Sequence, residues 1–373
     1  MTDPDASRLT DEPELLRSML AEQAASHPRF HTTNYWKNYE RRLLPYLESH
    51  GLRGFRSGNY ARGGEVLHSF GASDRALERR PPLAARAIEK LLRRAGLVSQ
   101  AAAFRRRVAS LDPQELEAQQ NRLVATAEAF ERGAGAIPLA ALDVSRVGEP
   151  ASAFSYNGKT LTPAALGYYM RYAYVSRRVD FRELKLVVEL SSGAGKQAEV
   201  LAKLHPHLTL VLFDIPPQLY IAHQYLSAVL PDRVVRFDPQ AHLDPDHAFI
   251  PGKIHLMGNW QIDLLRGRSV DLFWSAASLG EMEPDIAQYY LDIANGCAAH
   301  VYLMQKMDGK EVAPRAGAHG VLSKVTLEQY RTALADFELL DRQPARMPDG
   351  GLPGAGYEDS FWSRRSAPAG TPR

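Results

Sequence analysis

Cysteine is almost missing: Cys297 is the only one in 373 residues. An internal disulfide and a multi-cysteine zinc site are thereby excluded, and a reducing compartment is expected. Long hydrophobic runs are missing as well. No stretch approaches the roughly 20 apolar residues of a spanning helix, and the segment from Met1 to Glu14 is polar and acidic where a secretory leader would be apolar. Charge of one sign is not in excess either. Lys and Arg number 45 against 43 Asp and Glu, a net +2, too little to point to nucleic acid or a membrane surface. Repeats are absent, and 27 Gly and 24 Pro are ordinary usage. What is present is 45% hydrophobic and 24% charged, a globular composition long enough for about two domains. The expectation is a cytoplasmic protein with a small-molecule partner, no nucleic acid and no membrane, and with homo-oligomerisation left open.

From Pro13 to about Gly133 apolar residues recur at spacings of three and four, as in Tyr35, Tyr39, Leu43 and Leu47, which predicts helices. One helix carries signals at both ends: Asp112 as N-cap, Pro113 at the first position, Glu115 three residues on, and Gly133 as the stop. Between Arg53 and Arg80 the chain is irregular and rich in glycine and arginine, either a surface loop or a segment folded over a ligand. The arginines Arg79, Arg80, Arg93, Arg94 and Arg105 to Arg107 read as a solvated face diluted by Glu78, Glu89 and Glu115. The small-residue segment Gly148 to Pro163 changes the texture. The expected division is therefore 1–150, a helical region for capping a substrate or for oligomerisation, and 151–373, a ligand-binding domain.

In the second half, short apolar runs alternate with helical stretches: Leu186 to Leu190, Leu208 to Ile215, Lys253 to Met257, Val270 to Trp274 and Val301 to Gln305. Such alternation predicts an α/β fold with a mostly parallel sheet covered on both faces. Phe337 to Arg342 and Asp359 to Arg364, joined through Gly350 to Gly356, suit an antiparallel C-terminal pair. The residues from Ala367 on read as a disordered tail.

The chemistry concentrates in Val187 to Ala198, where a buried strand ending Glu189-Leu190 passes through Ser191-Ser192-Gly193-Ala194-Gly195 into a helix. In an open parallel sheet this is a ligand-binding edge. Gly193 and Gly195 let the backbone turn sharply and come close to a ligand. Asp214 ends the next strand, 25 residues beyond Glu189, where a carboxylate can accept hydrogen bonds from both hydroxyls of a ribose. Gly193, Gly195 and Ala198 also satisfy the G-x-G-x-x-G/A pattern of dinucleotide enzymes. The acidic residue inside the strand and the serines opening the loop favour S-adenosylmethionine over NAD.

Three stretches carry a resemblance: Val188 to Leu204; Leu212 to Pro231, opening Leu-Phe-Asp-Ile-Pro-Pro; and Asp271 to Met282, with its Ser-Leu-Gly-Glu-Met ending. Through them the chain resembles the class I S-adenosylmethionine-dependent methyltransferases, and more closely a family of sugar O-methyltransferases from bacterial saccharide and secondary-metabolite gene sets. Weaker likeness runs through Tyr35-Trp36, Phe55-Arg56 and Asn157 to Tyr174. Ser191-Ser192 departs from the family's glycines, and Lys196 is a second departure. The resemblance implies a Rossmann-like methyltransferase sheet and S-adenosylmethionine as cofactor. Glu189, Gly193 and Gly195 would line its methionine end, Asp214 would hold the ribose and Ile215 would flank the adenine. Asn259 would contact the adenine if Lys253 to Met257 is the third main strand, and Asp238 if Arg233 to Phe237 is. Ser275 and Ala276 would face the methyl group.

Methyl transfer to a sugar hydroxyl needs alignment and a base. Glu281, after the fourth strand, and His319, in the loop Asp308 to Lys324, are the two candidates. Each has a plainer reading, Glu281 as a helix-start carboxylate and His319 as a surface residue. Asp263 and Asp271 read as caps and His255 as a core histidine. Tyr168, Tyr169, Arg171 and Tyr172, with Trp36 and Tyr39, suit either core packing or the face of a sugar acceptor. No metal is expected: the nearest grouping, His242, Asp244, Asp246 and His247, lies among prolines in a solvated loop. The rival functions are a methyltransferase-fold protein that binds without catalysis and an NAD-dependent oxidoreductase.

Overall fold

Helices come first. In the computed structural model, which describes residues 9–57, 74, 77–78, 81–244, 246–346 and 356–365, α1 (Pro13–Ala25) and α2 (Asn34–His50) are followed by α3 (Leu83–Arg94), α4 (Val98–Ala109) and α5 (Pro113–Glu131). Most of the glycine- and arginine-rich segment, Arg79 and Arg80 included, lies outside the described residues, as do 350–355 and the tail from Ala367. α5 has the ends read from the sequence. Asp112 accepts the Glu115 N–H at 2.9 Å, the Glu115 carboxylate accepts the Asp112 N–H at 3.1 Å, and Gly133 follows at φ 72°. A short hairpin, β1 (Phe154–Tyr156) and β2 (Lys159–Leu161), leads into α6 (Pro163–Ser176), which Thr162 caps by accepting the Ala165 N–H at 3.1 Å.

Strands and helices then alternate: β3 (Leu186–Leu190), α7 (Lys196–Leu204), β4 (Thr209–Asp214), α8 (Pro216–Val229), β5 (Val234–Val235), β6 (Ile254–Gly258), β7 (Val270–Ala276), α9 (Pro284–Cys297), β8 (Ala298–Lys306), α10 (Leu327–Ala333), β9 (Phe337–Pro344) and β10 (Tyr357–Arg364). β3 to β10 form one sheet of eight strands in the order β5-β6-β4-β3-β7-β8-β10-β9. The pairs from β5 to β8 are parallel, and β10 runs antiparallel between β8 and β9. This is the Rossmann-like, doubly wound α/β sheet with an antiparallel C-terminal pair that the resemblance implies. Lys253 to Met257 does form the third main strand, as β6, while only Val234 and Val235 of the competing run pair, outside it.

β4 is buried at every residue and β3 at all but Leu186, because helices cover both faces. Continuous apolar runs are the sequence form of that burial. The N-terminal helices share the same core: Leu16, Met19, Leu43, Leu47, Leu123 and Val124 belong to one buried cluster with the strands. The change of texture near residue 150 is thus a change of secondary structure within continuous packing. Because the chain leaves β3 to pair β4 on one side and β7 on the other, the sheet opens a crevice beyond the carboxyl end of β3.

Candidate active site

A cavity of about 320 Å³ occupies that crevice, within the range of small-molecule sites. Glu189, Gly193, Asp214, Ile215, Asn259 and Glu281 stand on its wall; Gly195, Ser275 and His319 do not.

The loop after β3 explains part of that split. Ser191, Gly193 and Gly195 all take left-handed backbone, at φ 63°, 58° and 75°. Ser191 therefore keeps a glycine-like conformation, at roughly 1–2 kcal/mol for a residue with a Cβ, and its N–H donates to the Phe213 carbonyl at 2.7 Å. The N–H groups of Gly193 and Ile215 donate to the two oxygens of Asp214, each at 2.7 Å, so this carboxylate ties the loop to the end of β4. Gly195 sits instead between helices: a Cβ there would lie 2.7 Å from Leu226 Cδ1 and 3.4 Å from Ala222 Cβ. Its smallness serves the packing of α7 against α8, not the cavity wall.

Lys196 is buried and pairs with Asp74 Oδ1 at 2.8 Å. Arg56 holds the other oxygen of Asp74 at 2.8 Å and also donates to the Tyr225 hydroxyl at 2.9 Å, which in turn donates to Glu199 at 2.5 Å. Burial would raise the Asp74 carboxyl, but Lys196 and Arg56 hold it below its ordinary value. The first residue of the helix beyond the glycine loop is thus locked to residues far back in the chain.

Three buried carboxyls, Glu189, Asp214 and Glu281, line the cavity. Desolvation lifts Glu189 to about 8, with Arg171 opposing and Asp214 adding to the shift. Desolvation also lifts Asp214 to about 7, against the N–H groups of Gly193 and Ile215 and with help from Glu281. Glu281 is raised by burial too, while Lys310, at 2.7 Å, and Trp36 favour its charged form. Glu189 Oε2 and Ser192 Oγ are buried without a hydrogen-bond partner among the described residues, which costs about 1–3 kcal/mol each unless a ligand supplies one. Arg171 stands on the same wall, its guanidinium 4.9 Å from the Tyr168 ring and without a carboxylate partner among the described residues.

Residues 26–36 form a strap along the cavity wall, and apart from Tyr35 and Trp36 sequence reasoning did not single them out. Arg29, Thr33 and Trp36 line the cavity. Thr33 Oγ1 donates to the Glu281 carbonyl at 3.0 Å, and Asn34 donates to the Gly320 carbonyl at 2.8 Å while accepting the Gly317 N–H at 2.7 Å. Asn259 anchors the strap from below. Its Nδ2 donates to the Phe30 carbonyl at 2.8 Å and the Tyr290 hydroxyl at 3.1 Å, and its Oδ1 accepts from Gln23 at 3.3 Å. Both amide hydrogens are in use, so only an Oδ1 lone pair is left for a ligand.

His319 is exposed beside Tyr35, with ring centroids 5.3 Å apart, and does not line the cavity. Ser275 lies wholly beneath the floor, its Oγ 2.9 Å from Ser278 Oγ, and Ala276, Ala277 and Ser278 line the wall instead. Asp238 is also off the wall. His255 is a core residue: its Nε2 accepts the Ile250 N–H at 2.9 Å, and burial lowers it to about 4. Asp271 accepts the N–H groups of Lys185 and Leu186, at 2.6 and 2.8 Å, a capping role. Among the described residues no group of three His, Cys, Asp or Glu is placed to hold a metal ion, and no helix is long and apolar enough to cross a membrane.

No family model matches the chain. Demethylspheroidene O-methyltransferase of Rhodobacter capsulatus is 43% identical to it over 49 residues, 13% of this chain and 12% of that protein, so the chain matches only a small part of that relative's length. Among solved structures it is similar to the pyocyanin biosynthetic protein PhzM, at 16% identity over 51% of this chain and 53% of that one, with a TM-score of 0.35. It is also similar to magnesium protoporphyrin IX methyltransferase (ChlM) from Synechocystis PCC 6803, at 12% identity over 54% and 80% of the two chains, with a TM-score of 0.36.

Proposed function

We propose that the protein transfers a methyl group from S-adenosylmethionine to a hydroxyl of a saccharide or glycosylated metabolite. The observation that carries this reading is the pair of buried acceptors at the switch point, Glu189 with an orphaned oxygen and Asp214 bound to the loop beside it. The ammonium of the cofactor's methionine end is a donor that would satisfy Glu189 Oε2, and Ser192 Oγ lies in the loop that follows. Arg171 is the counterpart for a carboxylate. Asp214 accepts only one N–H at each oxygen, which leaves lone pairs for two ribose hydroxyls, and Ile215 flanks the base. A bound cofactor of this kind supplies a methyl group on a sulfonium leaving group.

The chain then has to orient the acceptor and take its proton. Glu281 is the cavity carboxylate that the cofactor assignments leave free; burial raises it, and Lys310 at 2.7 Å opposes that shift in favour of the charged form that a base requires. Trp36 and Tyr168 offer flat faces on which a sugar ring can stack. The methionine-binding and ribose-binding assignments are tested by calorimetric titration with S-adenosylhomocysteine, with NAD as control and Asp214→Ala as comparison. Micromolar binding lost in the variant supports the reading. Absence of binding, or binding of NAD in its place, overturns it, and binding without turnover on any hydroxyl acceptor would make the protein a non-catalytic binder.

A further inference from the structure

A helix in a folded protein normally buries one face, but α3 buries none of its residues. At about 100° per residue its side chains fall into three groups. Ala85, Glu89 and Leu92 are half-buried, and Glu89 reaches Arg105 of α4 at 3.8 Å, so this side packs on the neighbouring helix. Leu83, Ala87, Ile88 and Leu91 share an outward arc of about 140°; Leu83 is 77% exposed, Leu91 63% and Ile88 45%. Leu97 and Val98, at the turn into α4, are 42% and 55% exposed. Five of the ten exposed large hydrophobics among the described residues therefore fall between Leu83 and Val98.

Charge segregates to the same place. Between residues 83 and 109 seven Lys and Arg stand against Glu89 alone, in a chain whose net charge is +2. Glu89 is taken by Arg93 at 3.1 Å and Arg105 at 3.8 Å, while Arg86, Lys90, Arg94 and Arg107 have no carboxylate partner among the described residues. Arg86, Lys90 and Arg93 occupy an arc of about 60° beside the apolar one, and Arg94, the last residue of α3, falls within the apolar arc at its C-terminal end. The sequence shows these cations as a solvated face; the exposed leucines next to them change that reading.

We propose that this hairpin seats on an anionic lipid bilayer, with α3 lying in the interface plane. Leu83, Ile88 and Leu91 enter the acyl boundary and Arg86, Lys90 and Arg93 meet headgroup phosphates, an association with the surface and not a span. A second copy of the chain fits the face less well, because a two-fold contact sets two strongly positive hairpins side by side. Nucleic acid would engage the cations and leave the leucines in water.

Co-sedimentation of the full chain with unilamellar vesicles tests this. Binding is expected to vesicles of phosphatidylglycerol in phosphatidylcholine, not to phosphatidylcholine alone, and to weaken in 0.5 M salt, which at roughly 4 Å of screening length removes most of the headgroup attraction. L83S/I88S/L91S and, separately, R86Q/K90Q/R93Q should each lower the partition coefficient about tenfold or more, with circular dichroism unchanged because the altered residues are exposed. No binding to anionic vesicles, or binding that both variants retain, overturns the proposal. So does a concentration-dependent dimer of the unaltered chain that L83S/I88S/L91S abolishes, which would assign the face to a second copy.

Discussion

Cofactor binding should depend on pH in a calculable way. Desolvation holds Glu189 at about 8, so at neutral pH this carboxyl carries a proton until a cation is brought against it. An ammonium brought against Glu189 Oε2 stabilises the ionised form, and binding therefore expels the proton. If only the ionised form binds, the apparent dissociation constant scales with one plus ten to the power of pKa minus pH. With a pKa of about 8, affinity at pH 7 is roughly fivefold, and at pH 6 roughly 50-fold, weaker than at pH 8. Asp214, lifted to about 7 by the same burial, steepens the fall below neutrality. Titration of S-adenosylhomocysteine between pH 5.5 and 8.5, in pairs of buffers with different ionisation enthalpies, measures both the affinity and the protons released. About 0.9 proton should leave at pH 7, and Glu189→Gln should flatten the profile above pH 7. A dissociation constant constant within twofold from pH 6 to 8, with no buffer-dependent heat, would refute the reasoning.

Removing Asp74 strands two buried cations, so Asp74→Ala should lower unfolding stability by about 3–5 kcal/mol in urea melts. A loss below 1 kcal/mol would show that the cluster is already hydrated. Gly195→Ala puts a Cβ against Leu226 at a left-handed φ, and should cost about 1–3 kcal/mol in the same assay. For the base, Glu281→Gln should reduce turnover by about 10²–10⁴-fold and leave the affinity for S-adenosylhomocysteine within threefold. His319→Ala should leave turnover nearly unchanged, since its ring lies outside the cavity; the reverse pattern in steady-state kinetics would exchange the two assignments.

How much of this was legible beforehand follows from where each signal resides. β3 and β4 were readable because strands buried on both faces are apolar without interruption, and α5 because its caps are local. Glu189, Gly193 and Asp214 were readable as residues of the crevice because the carboxyl ends of adjacent parallel strands share one edge of the sheet. Lys196 and Asp74 were not, since a contact across 122 residues leaves no periodic trace. Thr33, on the cavity wall, and Asn34, which follows it, escaped for the same reason: their partners are Glu281 and residues 317–320. Gly195 was readable as a glycine that must be small. Its neighbour, the leucine of another helix and not a ligand, is visible only in three dimensions.

Ser191 is the instructive departure. A serine at the first glycine position is the kind of change a decayed cofactor site would carry, and local preference alone would pull it out of the left-handed region. Its N–H nevertheless reaches the Phe213 carbonyl at 2.7 Å, while Asp214 holds Gly193 from the next residue of the same strand. Two hydrogen bonds to the end of β4 bracket the turn, each contributing about 0.5–1.5 kcal/mol, enough to offset the cost of one left-handed serine. The side chain at this position has changed while the backbone path around the cavity is held. An argument for a decayed site would therefore have to rest on Glu189, Asp214 or Arg171, and all three stand on the cavity wall.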